Sequence, residues 1–252
     1  MRLSKFVCVV AALMACVAVV RPASAVVPVV FGASWDPPAQ SLQSIIDTRY
    51  GPGTINVQTD FVGAHAGDPD PWFWFGSQFG AMIIREVAGN ANRNVVGWYE
   101  DKGSPPVIDG VGDGVVFDGP SGEGATAVVF FDRPTTRFGF YLNPNGPLDA
   151  LWAAEPEKFY TNRLYNERGP NGAALHAPFD GDVQALVFDI SNYSFPNTWL
   201  VCFEDLDSGS LPTGPGGATD NDFNDFVFEV TALGATPTLH MSLGALKARY
   251  HK

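Results

Sequence analysis

The sequence is poor in cysteine, histidine and positive charge, and each shortage excludes a class of protein. It has 3 cysteines and 4 histidines, and no histidine pair has the spacing of a zinc site. Its 15 basic residues face 27 acidic ones, and the formal net charge of −12 opposes binding to nucleic acid. Phosphate-loop, dinucleotide-binding and serine-hydrolase motifs are absent from the sequence, so we expect a protein that is not an enzyme.

The first 25 residues form a predicted secretory signal peptide. Two basic residues precede an apolar run over 6–20, and Ala23-Ser24-Ala25 supplies the small residues that a signal peptidase reads. The apolar run is short for a membrane span, so we expect cleavage after Ala25, secretion and no membrane span in the mature chain. A lipoprotein signal ending at Cys16 is the weaker alternative, because Met14 suits its cleavage motif poorly. Cleavage removes three basic residues and no acidic ones, which lowers the net charge from −12 to −15.

Cleavage would also leave Cys202 as the only cysteine of the mature chain. No intramolecular disulfide is then possible, although the extracellular compartment permits one. Cys202 lies in the apolar run 199–203, which predicts a buried side chain that acts as a small hydrophobic residue.

Glycine and proline, 27 and 20 residues, divide the rest of the sequence into short segments. Apolar residues at helical spacing predict one helix over 39–47. Residues 89–93 favour a tight turn, which predicts a hairpin between its two flanking strands. Short runs rich in valine, phenylalanine, tyrosine and isoleucine predict nine strands: 55–62, 81–88, 94–99, 125–131, 136–142, 158–165, 183–190, 198–204 and 224–231.

Nine strands, one early helix and no alternation of strands with helices predict an all-β fold. We expect an antiparallel jelly-roll-like β-sandwich with one short helix near the amino terminus. The sandwich domain is predicted to span residues 26–234, with an acidic signature at 203–231. Residues 235–252 are predicted to form a carboxyl-terminal tail.

Two acidic segments flank the glycine-rich loop 207–219. The first holds Glu204 and Asp205 at the end of one predicted strand. The second, at the start of another strand, contains Asp220, Asp222, Asn224 and Asp225. If the two strands pair, both segments meet at one edge of the sandwich. Carboxylates at this density repel one another unless a cation or solvent compensates, and Ca²⁺ prefers oxygen ligands of these kinds. We therefore expect these six residues to bind calcium.

Two other interpretations of the acidic segments are an EF-hand and a solvated loop. The start of 220–231 imitates an EF-hand loop, but Asp225 stands where that loop has glycine and Thr231 stands where it has glutamate. A strand-like run follows, which excludes an EF-hand. The other interpretation is a solvated loop in which aspartate and asparagine only form turns.

The acidic signature resembles a family of bacterial secreted domains of unknown function, found in exosortase-sorted (PEP-CTERM) surface proteins and in calcium-dependent adhesins. The resemblance rests on Phe203-Glu204-Asp205 and on Asp220-Asn221-Asp222-Phe223-Asn224-Asp225. The segments 86–99 and 138–142 are similar to stretches of the sorted proteins. The resemblance implies a β-sandwich whose acidic residues hold calcium. The carboxyl end carries no Pro-Glu-Pro box and no closing arginine cluster, so we expect free secretion rather than sorting to the surface.

These observations predict a secreted calcium-binding β-sandwich that acts as a structural or adhesion module at the cell surface or in extracellular matrix. Its expected partners are an extracellular polysaccharide or a surface protein. The alternative is a carbohydrate-binding module that uses Trp72, Trp74 or Trp98, since an exposed indole stacks on a sugar ring. Burial of the aromatic run 72–75 in the sandwich is the competing interpretation. A glycoside or ester hydrolase is a third, weaker possibility.

Overall fold

The computed structural model describes residues 29, 31–32, 35–65, 68, 72–88, 91–133, 135–144, 158–166, 183–206 and 220–233. The predicted signal peptide, the loop 207–219 and the tail 235–252 lie outside these residues. Within the described chain, no helix has the length and apolar character needed to cross a membrane. The elements are α1 (Leu42–Tyr50), β1 (Trp74–Gly76), β2 (Gln78–Glu86), β3 (Val95–Glu100), β4 (Asp113–Phe117), β5 (Thr126–Phe130), β6 (Thr136–Asn143), β7 (Phe159–Tyr160), β8 (Ala185–Asp189), β9 (Thr198–Phe203) and β10 (Phe226–Leu233).

The strands form two antiparallel sheets. Sheet A has the order β1-β6-β3-β4, with β7 also paired to β6, and sheet B has the order β5-β2-β10-β9-β8. The chain passes from one sheet to the other after β1, β2, β4, β5 and β7. This architecture confirms the prediction of an all-β antiparallel sandwich with one short helix near the amino terminus.

A core rich in phenylalanine fills the space between the sheets. Phe138 and Phe140 of sheet A contact Phe79 of sheet B with ring centroids 5.1 and 5.2 Å apart. Phe140 also meets Phe228 at 5.3 Å. Such aromatic pairs add about 0.5–1.5 kcal/mol each beyond the burial of their area. The alternation of core and outward residues along each strand produces this layer.

A second apolar cluster covers the outer face of sheet B. Helix α1 begins after Ser41, whose hydroxyl accepts the N–H of Ser44 at 3.3 Å, and it packs Leu42, Ile45 and Ile46 against the sheet. Cys202 is fully buried in this cluster as a free thiol, which confirms its predicted packing role. Strands β8, β9 and β10 are therefore covered on both faces, as their nearly continuous apolar sequences require. Strand β5, at the edge of sheet B, leaves alternate residues exposed.

A carboxylate on β10 fastens the end of α1 to the sheet. The hydroxyl of Tyr50 donates to Glu229 Oε1 at 2.7 Å, and Arg49 Nε lies 3.2 Å from the same oxygen. Both contacts join residues about 180 positions apart in the chain. They fix the helix on β10, the strand that leads away from the acidic segment 220–225.

The predicted hairpin across residues 89–93 is wrong. Strand β2 pairs with β5 on one edge and with β10 on the other, so neither edge is available to β3. The connection instead carries the chain from sheet B to sheet A. A turn-forming sequence permits a reversal of direction, but it does not select the sheet in which the next strand pairs.

Two predicted strands are also wrong, in whole or in part. Residues 55–62 form turns, because the side chains of Asn56 and Asp60 hydrogen-bond to neighbouring backbone N–H groups. Only Phe159–Tyr160 of the predicted strand 158–165 is a strand, and a 3₁₀ turn over Arg163–Tyr165 follows it. Strands β1 and β4 were not predicted, since β1 has three residues and β4 follows a run of glycines.

On the outer face of sheet A, tyrosine rings pack over glycine residues of the neighbouring strand. The ring of Tyr99 lies across Gly139 on the neighbouring strand, and a Cβ at Gly139 would sit 2.5 Å from the Tyr99 ring. Tyr99 is fully buried and contacts Tyr160 and Tyr165, so its ring has no room to withdraw. Gly80 on β2 has open space, because the nearest atom to a Cβ there is 4.0 Å away.

We therefore expect Gly139→Ala to lower the free energy of unfolding by about 1–3 kcal/mol, the usual cost of overpacking. Gly80→Ala, a matched change on a strand, should change it by less than about 0.5 kcal/mol. Urea unfolding followed by tryptophan fluorescence measures both. Equal stabilities of the two variants would contradict the packing role of Gly139.

Candidate metal centre

The pairing of β9 with β10 brings the two acidic segments together. Phe203, the last residue of β9, lies opposite Phe226, the first residue of β10. Glu204 and Asp205 directly follow β9, and Asp225 directly precedes β10. The predicted pairing of these strands is confirmed, and the six predicted ligands lie at the same end of sheet B.

In segment 220–225, which leads into β10, two residues have positive φ angles. Asn221 and Phe223 have φ angles of 49° and 57°, in the left-handed region that non-glycine residues rarely adopt. Each such residue costs about 1 kcal/mol or more, so the surrounding contacts must hold the segment in place. Phe223 packs in the apolar cluster beneath α1, while Asp222 and Asn224 bond to each other outside it. The segment thus separates one apolar side chain from the polar ones.

Three carboxylates converge on the outer side of this segment. Asp36, Asp220 and Asp222 each offer an oxygen, and these oxygens all lie within 4.8 Å of one another. Two oxygens that bind one Ca²⁺ at about 2.4 Å can be no more than about 4.8 Å apart. The three aspartates, together with Asn224, are called the outer group below. Their spacing fits a single hard divalent cation.

Asn224 contacts two of the three aspartates of the outer group. Its Nδ2 lies 3.1 Å from Asp36 Oδ2, 2.8 Å from Asp222 Oδ2 and 2.9 Å from the carbonyl oxygen of Gln40. One amino group with two hydrogens therefore serves three acceptors. The side chain is 0% exposed, and its buried amide oxygen accepts no hydrogen bond. Turning the amide by half a turn would aim this oxygen at the carboxylates, which is repulsive without a cation and favourable with one.

The outer group includes a residue that the sequence analysis did not identify. Asp36 belongs to the segment before α1, and its neighbour Trp35 donates its backbone N–H to Asp220 Oδ2 at 2.6 Å. Gly32 N also bonds to the carbonyl oxygen of Asn221 at 3.2 Å. These contacts fasten the amino-terminal part of the described chain across segment 220–222. No sequence signal near Asp36 distinguishes it from an ordinary residue before a helix.

The other three predicted ligands form a separate inner group: Glu204, Asp205 and Asp225. The backbone N–H of Asp205 donates to Asp225 Oδ2 at 2.8 Å, and that of Phe223 donates to Glu204 Oε2 at 3.3 Å. Burial raises the pKa of Asp225 well above its usual range, and the neighbouring carboxylates of Glu204 and Asp205 raise it further. Backbone N–H groups therefore bond to two carboxylates of the inner group, and burial disfavours the charged form of Asp225.

Glu86 at the end of β2 extends the inner group. Burial raises the pKa of Glu86 to about 7; the nearby charge of Asp205 also raises it, whereas a hydrogen bond with Asn94 lowers it. Asn94 Nδ2 donates to Asp205 Oδ2 at 3.2 Å. Neither Glu86, at the end of β2, nor Asn94, just before β3, could be connected with the acidic segments from the sequence, because both lie more than 100 positions from them in the chain.

Of the three predicted sugar-binding tryptophans, one is buried and two are half-buried. Trp74 is 3% exposed and packs among Phe138, Phe140 and Trp199 in the sandwich core. Trp72 is half-buried with the Arg163 guanidinium 5.3 Å above its ring. Trp98 is half-buried against Phe131, with centroids 4.8 Å apart. The structure does not bring the three indoles together as one platform.

A family comparison matches the part of the chain that holds both acidic segments. The family described as "Domain of unknown function (DUF4114)" matches residues 133–232, which include β6 to β10 and leave Asp36 outside. No curated protein and no solved structure matches the chain. The resemblance to a domain of unknown function is thus confirmed for this part of the chain. Its setting in sorted surface proteins or adhesins stays a prediction.

The raised pKa of Glu86 predicts how stability varies with pH in metal-free buffer. The folded chain holds this proton up to about pH 7, whereas the unfolded chain loses it near pH 4.5. The contribution of Glu86 to stability is therefore complete below pH 4.5 and is lost as the pH rises to about 7. Because the side chain is partly exposed, we expect the loss to be about 1 kcal/mol.

Thermal melts in EDTA across this pH range measure the effect. The melting temperature of the wild type should fall as the pH rises, and Glu86→Gln, which stays neutral, should fall less. Parallel pH profiles for the two proteins would show that Glu86 ionises normally in the folded state.

Proposed function

We propose that the chain is a secreted calcium-binding β-sandwich that serves as a structural or adhesion module at the cell surface or in extracellular matrix. The observation that carries the proposal is the convergence of Asp36, Asp220 and Asp222 around the buried amide of Asn224. Secretion is supported by the amino-terminal signal sequence. The acidic balance of the chain favours divalent cations over anionic partners.

The chemistry of the outer group favours calcium over transition metals. All of its side-chain donors are oxygens, and hard cations prefer such ligands. Three carboxylates and one amide oxygen supply fewer ligands than the six to eight that Ca²⁺ takes, so water or an external ligand completes the shell. Asp36 is half-buried, whereas Asp220 and Asp222 are nearly buried. An ion held here would therefore have one side toward solvent.

A cation in the outer group would act as a clasp between distant parts of the chain. Asp36 comes from the segment before α1, and Asp220 and Asp222 come from the segment before β10. Without a cation, the three negative charges repel one another across this junction. With it, the same charges hold the junction closed, which gives the ion a structural role.

The alternative of a carbohydrate-binding module that uses Trp72, Trp74 or Trp98 gains no support from the packing of these residues. Trp74 is a core residue, and the rings of Trp72 and Trp98 are each covered by a neighbouring side chain. Calcium binding through the outer group is the proposal that the geometry favours.

Calcium should raise the melting temperature of the chain without its signal peptide. A ligand at about one hundred times its Kd adds about 2.7 kcal/mol to the free energy of unfolding. For a chain of this length, that corresponds to a rise of about 5–10 °C. The measurement is a thermal melt in EDTA, in millimolar calcium and in millimolar magnesium.

Asp36→Asn and Asp222→Asn should each abolish most of this rise, since each removes a charged ligand of nearly the same shape. Glu123→Gln is the matched control, because Glu123 is an exposed surface carboxylate that pairs with Arg85. An unchanged calcium response in both aspartate variants would overturn the assignment of the outer group.

Calcium should also slow hydrogen exchange in the segment that contains Trp35 and Asp36. If a cation bridges Asp36 to Asp220 and Asp222, exchange should slow at the Trp35 N–H, which bonds to Asp220, and should change little in a peptide covering β6. Hydrogen exchange read by mass spectrometry, with and without calcium, makes the comparison. Equal exchange of the Trp35 peptide in both conditions would contradict a cation bridge between Asp36 and segment 220–222.

A further inference from the structure

Trp35 presents a large aromatic surface beside the outer group. Its side chain is 64% exposed, in contrast with the packed rings of Trp72, Trp74 and Trp98. Its backbone N–H bonds to Asp220 at 2.6 Å, and the next residue in the chain is Asp36. The backbone of Trp35 is therefore fixed beside the outer group, and its indole stays exposed to solvent. An anchored backbone leaves less freedom for a ligand to remove when it binds the ring.

The outer group has fewer protein ligands than a calcium ion takes. The protein supplies three carboxylates and the buried amide of Asn224, whose oxygen accepts no hydrogen bond. Calcium takes six to eight oxygens, so two or more positions are left for external oxygens when each of these four side chains supplies one oxygen. Asp36, the half-buried member, marks the side of the group that solvent reaches.

The charge of the outer group selects the kind of external oxygen. Three carboxylates outweigh the charge of one divalent cation, so the occupied site keeps a net negative charge. The whole chain is acidic as well, with a formal net charge of −12. A carboxylate or sulfate ligand would meet repulsion from both sources. Neutral hydroxyl pairs coordinate the ion without that cost.

We infer that the outer group and Trp35 together form a calcium-dependent binding site for a neutral polysaccharide. Two adjacent hydroxyls of one sugar ring complete the calcium shell, and the apolar face of that ring or of its neighbour stacks on the indole of Trp35. This inference rests on the proposed calcium function and adds a ligand class to it. It also moves the sugar-stacking role from the predicted tryptophans to Trp35.

The test is affinity electrophoresis of the chain without its signal peptide in native gels. The gels contain one of three neutral polysaccharides, namely mannan, galactomannan or mixed-linkage β-glucan, or the anionic polymer alginate. At least one neutral polymer should retard the protein in calcium and not in EDTA, while alginate should not. Trp35→Ala should weaken this retardation about tenfold and keep the calcium-induced rise in melting temperature, because the side chain is exposed.

Phe195→Ala is the matched control. Phe195 is 72% exposed and lies between β8 and β9, at the opposite end of β9 from the acidic segments. Its removal should change neither readout. Trp35→Phe should restore part of the retardation, since it keeps an aromatic face.

The outcomes separate this inference from the proposed function. A calcium-induced stabilisation with no retardation by any neutral polymer, or with equal retardation of wild type and Trp35→Ala, overturns the polysaccharide site alone. Retardation that survives EDTA, or retardation by alginate only, overturns it as well. Absence of any calcium-induced stabilisation overturns the proposed function and this site with it.

Discussion

The register between β9 and β10 is the constraint on which the rest of the structure depends. Phe203 lies opposite Phe226, so the residues that follow one strand and precede the other meet at one end of sheet B. A shift of β10 by one residue would move Phe226 and Phe228 from the sandwich core to the opposite face. The apolar alternation of the strands therefore enforces the closeness of the carboxylates. Burial of phenylalanine outweighs the repulsion between like charges.

The inner group and the outer group differ in how the repulsion between their carboxylates is compensated. In the inner group, backbone N–H groups bond to Glu204 and Asp225, and burial raises the pKa of Asp225. The outer group gathers three carboxylates beside the neutral amide of Asn224. The proposed cation supplies the missing charge. Segment 220–225 thus contributes to both groups. The fold itself compensates the charges of the inner group, and a bound cation would compensate those of the outer group.

The amino-terminal segment gives the outer group its third aspartate and its exposed aromatic ring. Helix α1 covers sheet B, and Glu229 fastens the helix to β10 through Tyr50 and Arg49. The segment before α1 is consequently held beside segment 220–222, where Trp35 bonds to Asp220. The helix layer is more than a cover for apolar strands, because it determines where Asp36 and Trp35 lie. A proposed adhesive surface and a proposed structural ion are thereby joined in one place.

Local chemistry along the sequence determined most of the strands, the helix and the meeting of the acidic segments. Valine and phenylalanine runs with period two specify strands, and two such runs on either side of one loop pair readily. The sequence could not reveal Asp36, because it lies about 185 positions from its partners and follows no local pattern. It also did not reveal that β2 pairs with β5 and β10 rather than with β3, or that Trp74 is buried while Trp35 is exposed. Those features depend on which edges and faces the other elements occupy, and that is decided only when the whole chain packs.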